Sequence, residues 1–393
     1  MNKTEGNVVI VGASHAAAEA ISTLRKAGWD ERITLIGDEQ NLPYQRPPLS
    51  KAYYKGDIET DKLAIKNPSF YDVAKVDLLL GNRVDSIDRD AKEVVLESGA
   101  KVGYTKLILA TGTRARLLPL EGADAPSVKY LRTVADVDDI KSSLAPGAKL
   151  LIVGAGYIGL EVAASAIQQG VEVTVLEAQD RVLARVTSEQ VSEFYQDIHR
   201  TAGVDLRLGV GLTRFVAKGE DNFAELSDGE LLKFDCAIVG IGVIPNVELA
   251  EQAGLTCDNG IVADEFTRTQ DPDIYAVGDC SNHPSQIYKR RIRLESVPNA
   301  VAQAKTAAMS ICGDDRVYDQ LPWFWSDQYD VKLQTAGLMQ GHDDVLVEGD
   351  VAARKFTVSY FRNGKMIALD AINSPALFMK AKKRICADLQ GDI

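Results

Sequence analysis

The chain has 393 residues, of which 46% are hydrophobic and 25% are charged, as is ordinary for a globular protein. At about 150 residues per domain, this length predicts two or three domains. The formal net charge of −12 argues against a general nucleic-acid binder, which needs a basic face to contact phosphates. No apolar run reaches the ~18 residues of a membrane span, and residues 1–6 lack the basic and apolar regions of a signal peptide. These features predict a cytoplasmic protein.

An apolar strand over residues 7–11 runs into a glycine turn, a helix of small residues and a second strand that ends at Asp38. This order is typical of a βαβ dinucleotide-binding unit, although Ser14 and Ala17 replace the second and third glycines. Gly12 permits the tight bend, and both replacements are small enough for the backbone to approach a pyrophosphate. Asp38 stands where a carboxylate would accept ribose hydroxyls.

The same pattern recurs with all three glycines, Gly154, Gly156 and Gly159, between an apolar strand and a helix. A second strand then ends at Glu177, 18 positions after the third glycine, which is close to the ~20 expected for a ribose-binding acid. Because Glu177 would repel a 2′-phosphate, this unit is expected to prefer NAD(H) to NADP(H), although Arg181 follows closely.

Each unit also ends with a late apolar strand that closes on glycine, at Ala110–Gly112 and at Gly240–Gly242. Two copies of one unit imply two dinucleotides. FAD beside NAD is the expected pair, because a flavin accepts a hydride and releases single electrons.

Segments outside the glycine turns carry a more specific resemblance. The most diagnostic are Leu42–Lys51 and Trp323–Gln328, and Asp273–Cys280 and Leu294–Ala300 add to it. Through these segments nearly the whole chain resembles the FAD-dependent NADH:ferredoxin reductases, the putidaredoxin and rubredoxin reductases that feed oxygenases. The resemblance implies hydride transfer from NADH to FAD, followed by single-electron transfer to a 2Fe–2S ferredoxin or a rubredoxin. That carrier would supply an oxygenase such as a cytochrome monooxygenase.

The resemblance also implies which residues hold the cofactors. Residues expected to contact FAD are Gly12, Ser14, His15, Ala16, Ala17, Asp38, Arg46, Lys51, Val84, Ala110, Thr111, Gly112, Arg132, Gly278, Asp279, Val297 and Trp325. Residues expected to contact NAD are Gly154, Gly156, Tyr157, Ile158, Gly159, Glu177 and Gly242. Within the first set, Asp279 would bind the ribitol chain and Val297 the isoalloxazine edge. Trp323 and Trp325 either cover the flavin, touch the nicotinamide or simply pack in the core. His15 either touches the flavin nucleotide or is only a helix-start residue.

The fold class that follows is α/β, with two Rossmann-like dinucleotide-binding domains in a glutathione-reductase-like arrangement and a small C-terminal α+β domain. The FAD-binding domain would comprise residues 1–113 and 245–320, and the NAD-binding domain residues 114–244. Residues 321–393 would form the C-terminal domain, with short strands, an Asn363-Gly364 hairpin turn and a final helix.

No cysteine precedes Cys236, and none of the five cysteines is spaced as a metal site or a redox pair. Electrons must therefore leave the flavin for an external acceptor rather than for a protein thiol. By family position, Lys51 would polarise the ring edge and Glu161 would pair with it as the second catalytic residue. The plainer interpretation makes Lys51 a solvated loop charge and Glu161 a helix-start carboxylate.

Two basic clusters stand out in this acidic chain, and ferredoxins are typically acidic. The clusters contain Lys289, Arg290, Arg291 and Arg293, and Lys380, Lys382, Lys383 and Arg384. They are candidates for steering an acidic ferredoxin to the flavin, although a charge run is more often a solvated face.

Two alternatives remain open at this point. One is an NADH oxidase or quinone-type reductase of the same fold. The other is a redox-sensing interaction flavoprotein of the apoptosis-inducing type, which the net charge of −12 disfavours.

Overall fold

The computed structural model describes residues 6–390. The expectation about the N-terminal segment concerns mainly residues 1–5, which lie outside the described residues. Among residues 6–390, no helix has both the length and the apolar character required to cross a bilayer.

Nine α-helices lie within residues 6–390. They are α1 (His15–Lys26), α2 (Ala52–Lys55), α3 (Pro68–Val73), α4 (Val134–Ser142), α5 (Tyr157–Ile167), α6 (Glu189–Thr201), α7 (Glu248–Gln252), α8 (Val297–Ile311) and α9 (Pro375–Gln390). Short 3₁₀ turns are formed by Pro47–Ser50, Thr60–Leu63 and Gly278–Cys280.

The strands of the same part of the chain number twenty-six. They are β1 (Asn7–Val11), β2 (Arg32–Gly37), β3 (Val76–Leu80), β4 (Val84–Asp88), β5 (Glu93–Leu96), β6 (Lys101–Gly103), β7 (Lys106–Leu109), β8 (Thr113–Ala115), β9 (Val128–Lys129), β10 (Lys149–Val153), β11 (Glu172–Glu177), β12 (Asp205–Leu208), β13 (Leu212–Lys218), β14 (Asp221–Leu226), β15 (Leu231–Phe234), β16 (Cys236–Val239), β17 (Val243–Pro245), β18 (Ile261–Val262), β19 (Ile274–Ala276), β20 (Ser281–Ser285), β21 (Arg290–Arg293), β22 (Trp323–Gln328), β23 (Val331–Gly337), β24 (Asp344–Asp350), β25 (Lys355–Arg362) and β26 (Lys365–Ile372).

The chain folds into two compact units, and the first holds the first glycine turn. This unit comprises the described residues up to Gln45, Leu63–Arg114 and Pro245–Phe324. Its parallel sheet has the order β19-β7-β1-β2-β3. Alternate residues of β1 face opposite sides: Val8 packs against α1 and α8, whereas Val9 packs toward β4, β5 and α7. Burial on both faces explains why β1 is apolar from Val8 to Val11.

The second unit holds the second glycine turn. It comprises Arg46–Lys62, Ala115–Ile244 and the described residues from Trp325 onward. Its parallel sheet has the order β12-β11-β10-β16-β9, and an antiparallel sheet, β13-β14-β15, accompanies it. Both sheets contribute to one apolar cluster.

The C-terminal part of the second unit is built on an antiparallel sheet in the order β22-β23-β26-β25-β24, and α9 packs on β26 and β23. The turn between β25 and β26 has Asn363 at φ +52° and Gly364 at φ +74°. Two successive positive φ values define the tight hairpin turn that Asn-Gly favours, so the predicted hairpin is confirmed.

The division into FAD-binding, NAD-binding and C-terminal domains remains a proposal. The sequence-based division places residues 46–62 with the FAD-binding domain. In the structure these residues belong to the second compact unit, where α2 and the Pro47–Ser50 turn pack on α4 and α5.

Candidate active site

The first glycine turn is fixed by contacts that precede any ligand. Gly12 has φ +108°, and a Cβ there would lie 2.3 Å from the carbonyl oxygen of Ala110. Ser14, at the second fingerprint position, is the N-cap of α1, and its Oγ accepts a hydrogen bond from the Ala17 amide at 3.4 Å. The serine that departs from the glycine pattern therefore starts the helix, whose N-terminal amides favour an anion.

A cleft of about 620 Å³ opens at the carboxyl ends of the strands of the first sheet. Four of its lining residues, Gly12, Asp38, Val84 and Thr111, are among those predicted to contact FAD. Parallel α/β sheets bind ligands at this edge, and the cleft is large enough for an organic cofactor. The residues present therefore fit FAD. Arg114 and Asn246 also line the cleft, and no sequence signal pointed to them.

A buried hydrogen-bond network supports the Gly278–Asp279 turn in the same unit. The Gly278 amide donates to Gln303 Oε1 at 2.7 Å, and Gln303 Nε2 lies 2.9 Å from His283 Nδ1. Burial lowers the pKa of His283 to about 4, so its ring is neutral at physiological pH. Thr113 Oγ1 donates to Asp279 at 3.3 Å. Val297 is half-buried at the start of α8.

The thiol next to Asp279 is not activated. Cys280 is fully buried, and its Sγ donates to the carbonyls of Val277 at 3.4 Å and Leu109 at 3.6 Å. Burial raises the pKa of this thiol, and reactive thiols have lowered values instead. Within residues 6–390, no three His, Cys, Asp or Glu side chains are grouped as metal ligands.

The three glycines of the second turn differ in how much space surrounds them. Gly154 has φ +105°, and a Cβ there would lie 2.5 Å from the Gly240 carbonyl oxygen. A Cβ at Gly159 would lie 2.3 Å from the Gly154 carbonyl oxygen, whereas one at Gly156 would meet nothing within 4 Å. Gly154 and Gly159 are therefore required by the fold, and Gly156 leaves space over the N-terminus of α5.

Both oxygens of Glu177 hold backbone amides. Oε2 accepts from the Ala155 amide at 2.8 Å and Oε1 from the Gln179 amide at 2.9 Å. Carboxylate oxygens retain further lone pairs for ribose hydroxyls. Arg181 is bonded to its own loop, donating to the carbonyls of Thr187 and Ala184 at 2.9 Å.

Lys51 and Glu161, predicted to act together, form an ion pair within the second unit. Lys51 Nζ lies 2.5 Å from Glu161 Oε2, and Ser50 Oγ donates to the same oxygen at 2.5 Å. Glu161 is only 3% exposed. One turn further along α5, Ser165 Oγ donates to the Ser50 carbonyl at 2.8 Å. One face of α5 thus anchors the turn that carries Lys51.

Arg46, Arg132, Trp325 and Gly242, which the sequence also assigned to the site, belong to the same unit. Arg46 Nη1 donates to the carbonyl of Arg132 at 2.6 Å, at the start of the capped helix α4. Trp325 is half-buried on β22. Gly242 has φ +105° and faces the Arg185 guanidinium.

The cations of the two basic clusters differ in their exposure and in their contacts. Lys289, Arg290 and Arg291 are exposed, but Arg291 also donates to the carbonyls of Ala263 at 2.6 Å and Asn282 at 2.5 Å. Arg293 is also bonded to its own chain, donating to the Asp279 carbonyl at 3.1 Å.

In the second cluster the side chains lie on α9. Lys380 and Lys383 are exposed there, whereas Lys382 lies over the Phe378 ring. Arg384 lies over the Phe361 ring and within 3.5 Å of Asp388.

The predicted residues thus separate into two groups. The first unit contains Gly12, Ser14, His15, Ala16, Ala17, Asp38, Val84, Ala110, Thr111, Gly112, Gly278, Asp279 and Val297. The second contains Arg46, Lys51, Arg132, Gly154, Gly156, Tyr157, Ile158, Gly159, Glu161, Glu177, Gly242 and Trp325. Their roles toward the cofactors remain proposals.

Comparison with known protein families shows which family the chain belongs to. The pyridine nucleotide-disulphide oxidoreductase model matches residues 6–304, and a reductase C-terminal model matches residues 323–392. The chain belongs to the pyridine nucleotide-disulphide oxidoreductase family, in the group that carries this C-terminal domain.

Its relatives are similar over nearly their whole length. Rhodocoxin reductase of Rhodococcus erythropolis is 43% identical over 98% of this chain and 90% of its own. Putidaredoxin reductase of Pseudomonas putida is 43% identical over 96% of this chain and 91% of its own. The crystal structure of a covalent putidaredoxin reductase–putidaredoxin complex matches with a TM-score of 0.94 at 42% identity, covering 98% of this chain and 94% of that one.

These matches confirm the family, the α/β fold class and the enzyme class predicted from the sequence, an NAD(P)H-dependent oxidoreductase. They also confirm FAD and NAD(H) as the cofactors.

Proposed function

We propose that this protein is an NADH-dependent ferredoxin reductase with FAD bound in the cleft of the first unit and NADH on the second glycine turn. The observation that carries the proposal is the presence of two nucleotide turns, each followed by a strand-end carboxylate, together with an ion pair between Lys51 and the buried Glu161. When bound, FAD supplies the means to accept a hydride and to release electrons one at a time.

The chain's own residues would bind, orient and balance charge. In the first unit, the amides at the start of α1 would face the pyrophosphate, and Asp38 would accept hydroxyls of the adenosine ribose. In the second, Glu177 would accept the ribose hydroxyls of NADH. Lys51 would hold positive charge at the flavin, with Glu161 fixing its position. No protein nucleophile is required.

An iron–sulfur acceptor is favoured over a disulfide because the cysteine next to Asp279 is buried and bonded to carbonyls. The relatives that resemble the chain over its length are reductases of rhodocoxin, putidaredoxin and ferredoxins. We therefore assign a ferredoxin-type protein as the partner, with an oxygenase as the final consumer of its electrons.

An acidic ferredoxin would be attracted by exposed cations of the two basic clusters, among them Lys289, Arg290, Lys380 and Lys383. Arg291 and Arg293 would contribute charge but are held by their own chain. A cytoplasmic location remains a prediction from the sequence.

The test begins with the visible spectrum of the purified protein. Flavin absorption should be present and should bleach on anaerobic addition of NADH, and an added 2Fe–2S ferredoxin should then pass electrons to cytochrome c. Fast oxygen consumption without need for ferredoxin would instead identify an NADH oxidase. A colourless protein that cannot be reconstituted with FAD would reject the proposal.

A further inference from the structure

The diagnostic segment Trp323–Gln328, which forms β22 and is called the β22 motif here, contains two buried polar side chains that had no predicted role. Ser326 and Gln328 are 0% and 2% exposed and alternate along β22, so they face the same side of the strand. Ser326 Oγ donates to Glu161 Oε1 at 2.7 Å, on the carboxylate oxygen that Lys51 does not contact. Gln328 Nε2 in turn donates to Ser326 Oγ at 3.3 Å.

The chain of hydrogen bonds continues to α6. His199, fully buried, places Nε2 2.8 Å from Gln328 Oε1 and Nδ1 3.0 Å from the hydroxyl of Tyr329. Five side chains, Tyr329, His199, Gln328, Ser326 and Glu161, are therefore linked in one line within the second unit.

The chemistry of these groups fixes the direction of every bond. A carboxylate only accepts, so the Ser326 hydroxyl donates to it and must accept from the Gln328 amide. The amide oxygen of Gln328 also only accepts, so His199 carries its proton on Nε2. Nδ1 is then an acceptor, and the Tyr329 hydroxyl donates to it. All donors point toward Glu161, and bonds aligned in this way strengthen one another.

Two further features of the structure favour this donor-to-acceptor direction of the hydrogen bonds. Burial lowers the pKa of His199 to about 4, so the ring is neutral with a single proton. Tyr329 has φ +55°, which is rare for a bulky residue and is tolerated only where the surroundings determine it. Its ring packs edge-on against His199 at 5.1 Å. The turn after β22 thus holds the first donor of the line against His199.

We propose that Ser326, Gln328, His199 and Tyr329 are positioning residues that act through Glu161, holding its carboxylate oriented on Lys51. This inference rests on the proposed function, in which Lys51 faces the flavin. It assigns the Ser326–Gln328 part of the β22 motif to the reaction rather than to packing alone.

The first test reads the histidine directly. Nitrogen-15 NMR of protein labelled on histidine should show His199 as the neutral Nε2–H tautomer. In Gln328→Leu, the acceptor of that proton is lost, and the ring should switch to Nδ1–H and donate to Tyr329. A charged ring or an Nδ1–H tautomer in the unchanged protein would overturn the proposal, whatever the enzyme's activity.

The second test reads the consequence for Lys51. Ser326→Ala should slow flavin reduction by NADH about tenfold, the effect of losing one hydrogen bond to a charged group. Ser326→Thr, which keeps the hydroxyl, should restore most of the rate. The matched control is Ser359→Ala, another buried serine of the same antiparallel sheet, whose hydroxyl has no hydrogen-bond partner within residues 6–390. Equal rates for Ser326→Ala and Ser359→Ala would refute the positioning role.

The two tests separate the possible failures. If NADH does not reduce the flavin even in the unchanged protein, the proposed function fails, and the tautomer of His199 still decides whether the directed line exists. If reduction is fast but insensitive to Ser326→Ala, the proposed function stands and the positioning role is wrong.

Discussion

Lys51 Nζ and Glu161 Oε2 are 2.5 Å apart although the two residues are separated by 110 positions in the chain. The Lys51 side chain is 19% exposed and that of Glu161 3%. Neither charge is stable alone at such a depth, because taking an unpaired ion out of water is costly. The pair therefore ties the turn at residues 47–51 to α5 and delivers a fixed cation.

Removing the cation should damage both stability and catalysis. Lys51→Met leaves Glu161 buried without its counter-ion, so the free energy of unfolding should fall by about 3 kcal/mol. The double variant Lys51→Met with Glu161→Gln should recover part of that loss. In both, NADH should reduce the flavin more slowly in stopped-flow mixing.

Lys55→Met is the matched control for this experiment. Lys55 lies one turn away and pairs with the exposed Asp57 at 2.8 Å, a contact worth ~0–1 kcal/mol. Unchanged flavin reduction in Lys51→Met, equal to that of Lys55→Met, would remove Lys51 from the mechanism.

Two glycines of the second turn should respond oppositely to alanine. Gly154→Ala forces a Cβ to 2.5 Å from a carbonyl oxygen at φ +105°, so the protein should lose several kcal/mol of stability or fail to fold. Gly156→Ala meets no protein atom within 4 Å, so it should fold normally and raise the KM for NADH. Thermal unfolding and steady-state kinetics measure the two effects. A normal KM in Gly156→Ala would contradict a nucleotide at this turn.

The protein should strongly prefer NADH to NADPH. Glu177 repels a 2′-phosphate, and the Arg181 guanidinium is occupied by the carbonyls of Thr187 and Ala184 at 2.9 Å. The ratio of kcat/KM values should favour NADH by about 100-fold or more, a difference of ~3 kcal/mol. Arg181→Ala should leave that ratio unchanged. A ratio that moves toward NADH in this variant would show that Arg181 does bind a 2′-phosphate.

Stability should fall when the pH is lowered through the range of the buried histidines. Burial lowers the pKa values of His199 and His283 to about 4 in the folded protein, whereas an unfolded histidine takes up its proton near pH ~6.5. The unfolded state therefore binds more protons between these values. Each histidine should cost about 2 kcal/mol of unfolding free energy between pH ~7 and pH ~5.

Urea unfolding of the protein and of His283→Gln at both pH values isolates this contribution. The carboxylates are the same in the two proteins, so the difference between their pH slopes belongs to His283. Equal slopes would show that burial does not lower the pKa of His283 in the folded protein.

Electron transfer to ferredoxin should weaken steeply as salt is added, whereas NADH-ferricyanide turnover should not, because only the first depends on charge steering. Replacing Lys289 and Arg290, or Lys380 and Lys383, with serine should reduce the ferredoxin rate at low salt. Replacing Lys26 and Lys218 with serine, at two exposed sites outside both clusters, is the charge-matched control. A flat salt profile would reject steering by these clusters.

The sequence predicted those features that depend on neighbours in the chain. The strands before Gly12 and Gly154 are apolar because both faces of their sheets are buried, and the glycines follow from backbone geometry. The Asn363-Gly364 hairpin follows from positive φ at both positions. Such local requirements can be recognised in a single sequence.

Features that join distant segments were not predictable in the same way. His199 meets Gln328 across 129 positions and Ser326 meets Glu161 across 165. Ser326 and Gln328 were part of a recognised motif, but a buried polar residue on a strand gives no indication of its partner. The hydrogen bonds of Arg291 and Arg293 to carbonyls of their own chain likewise cannot be recognised in a run of basic residues.

The Ser14 hydroxyl accepts a hydrogen bond from the Ala17 amide, so the N-terminus of α1 is formed before the flavin nucleotide binds. Because Ser14 of the chain itself caps α1, the helix stays folded when FAD leaves the cleft. FAD should therefore rebind to an apoprotein whose α1 is already folded. The rate of rebinding should be set by diffusion and by fitting of the cofactor into the cleft rather than by refolding of the protein.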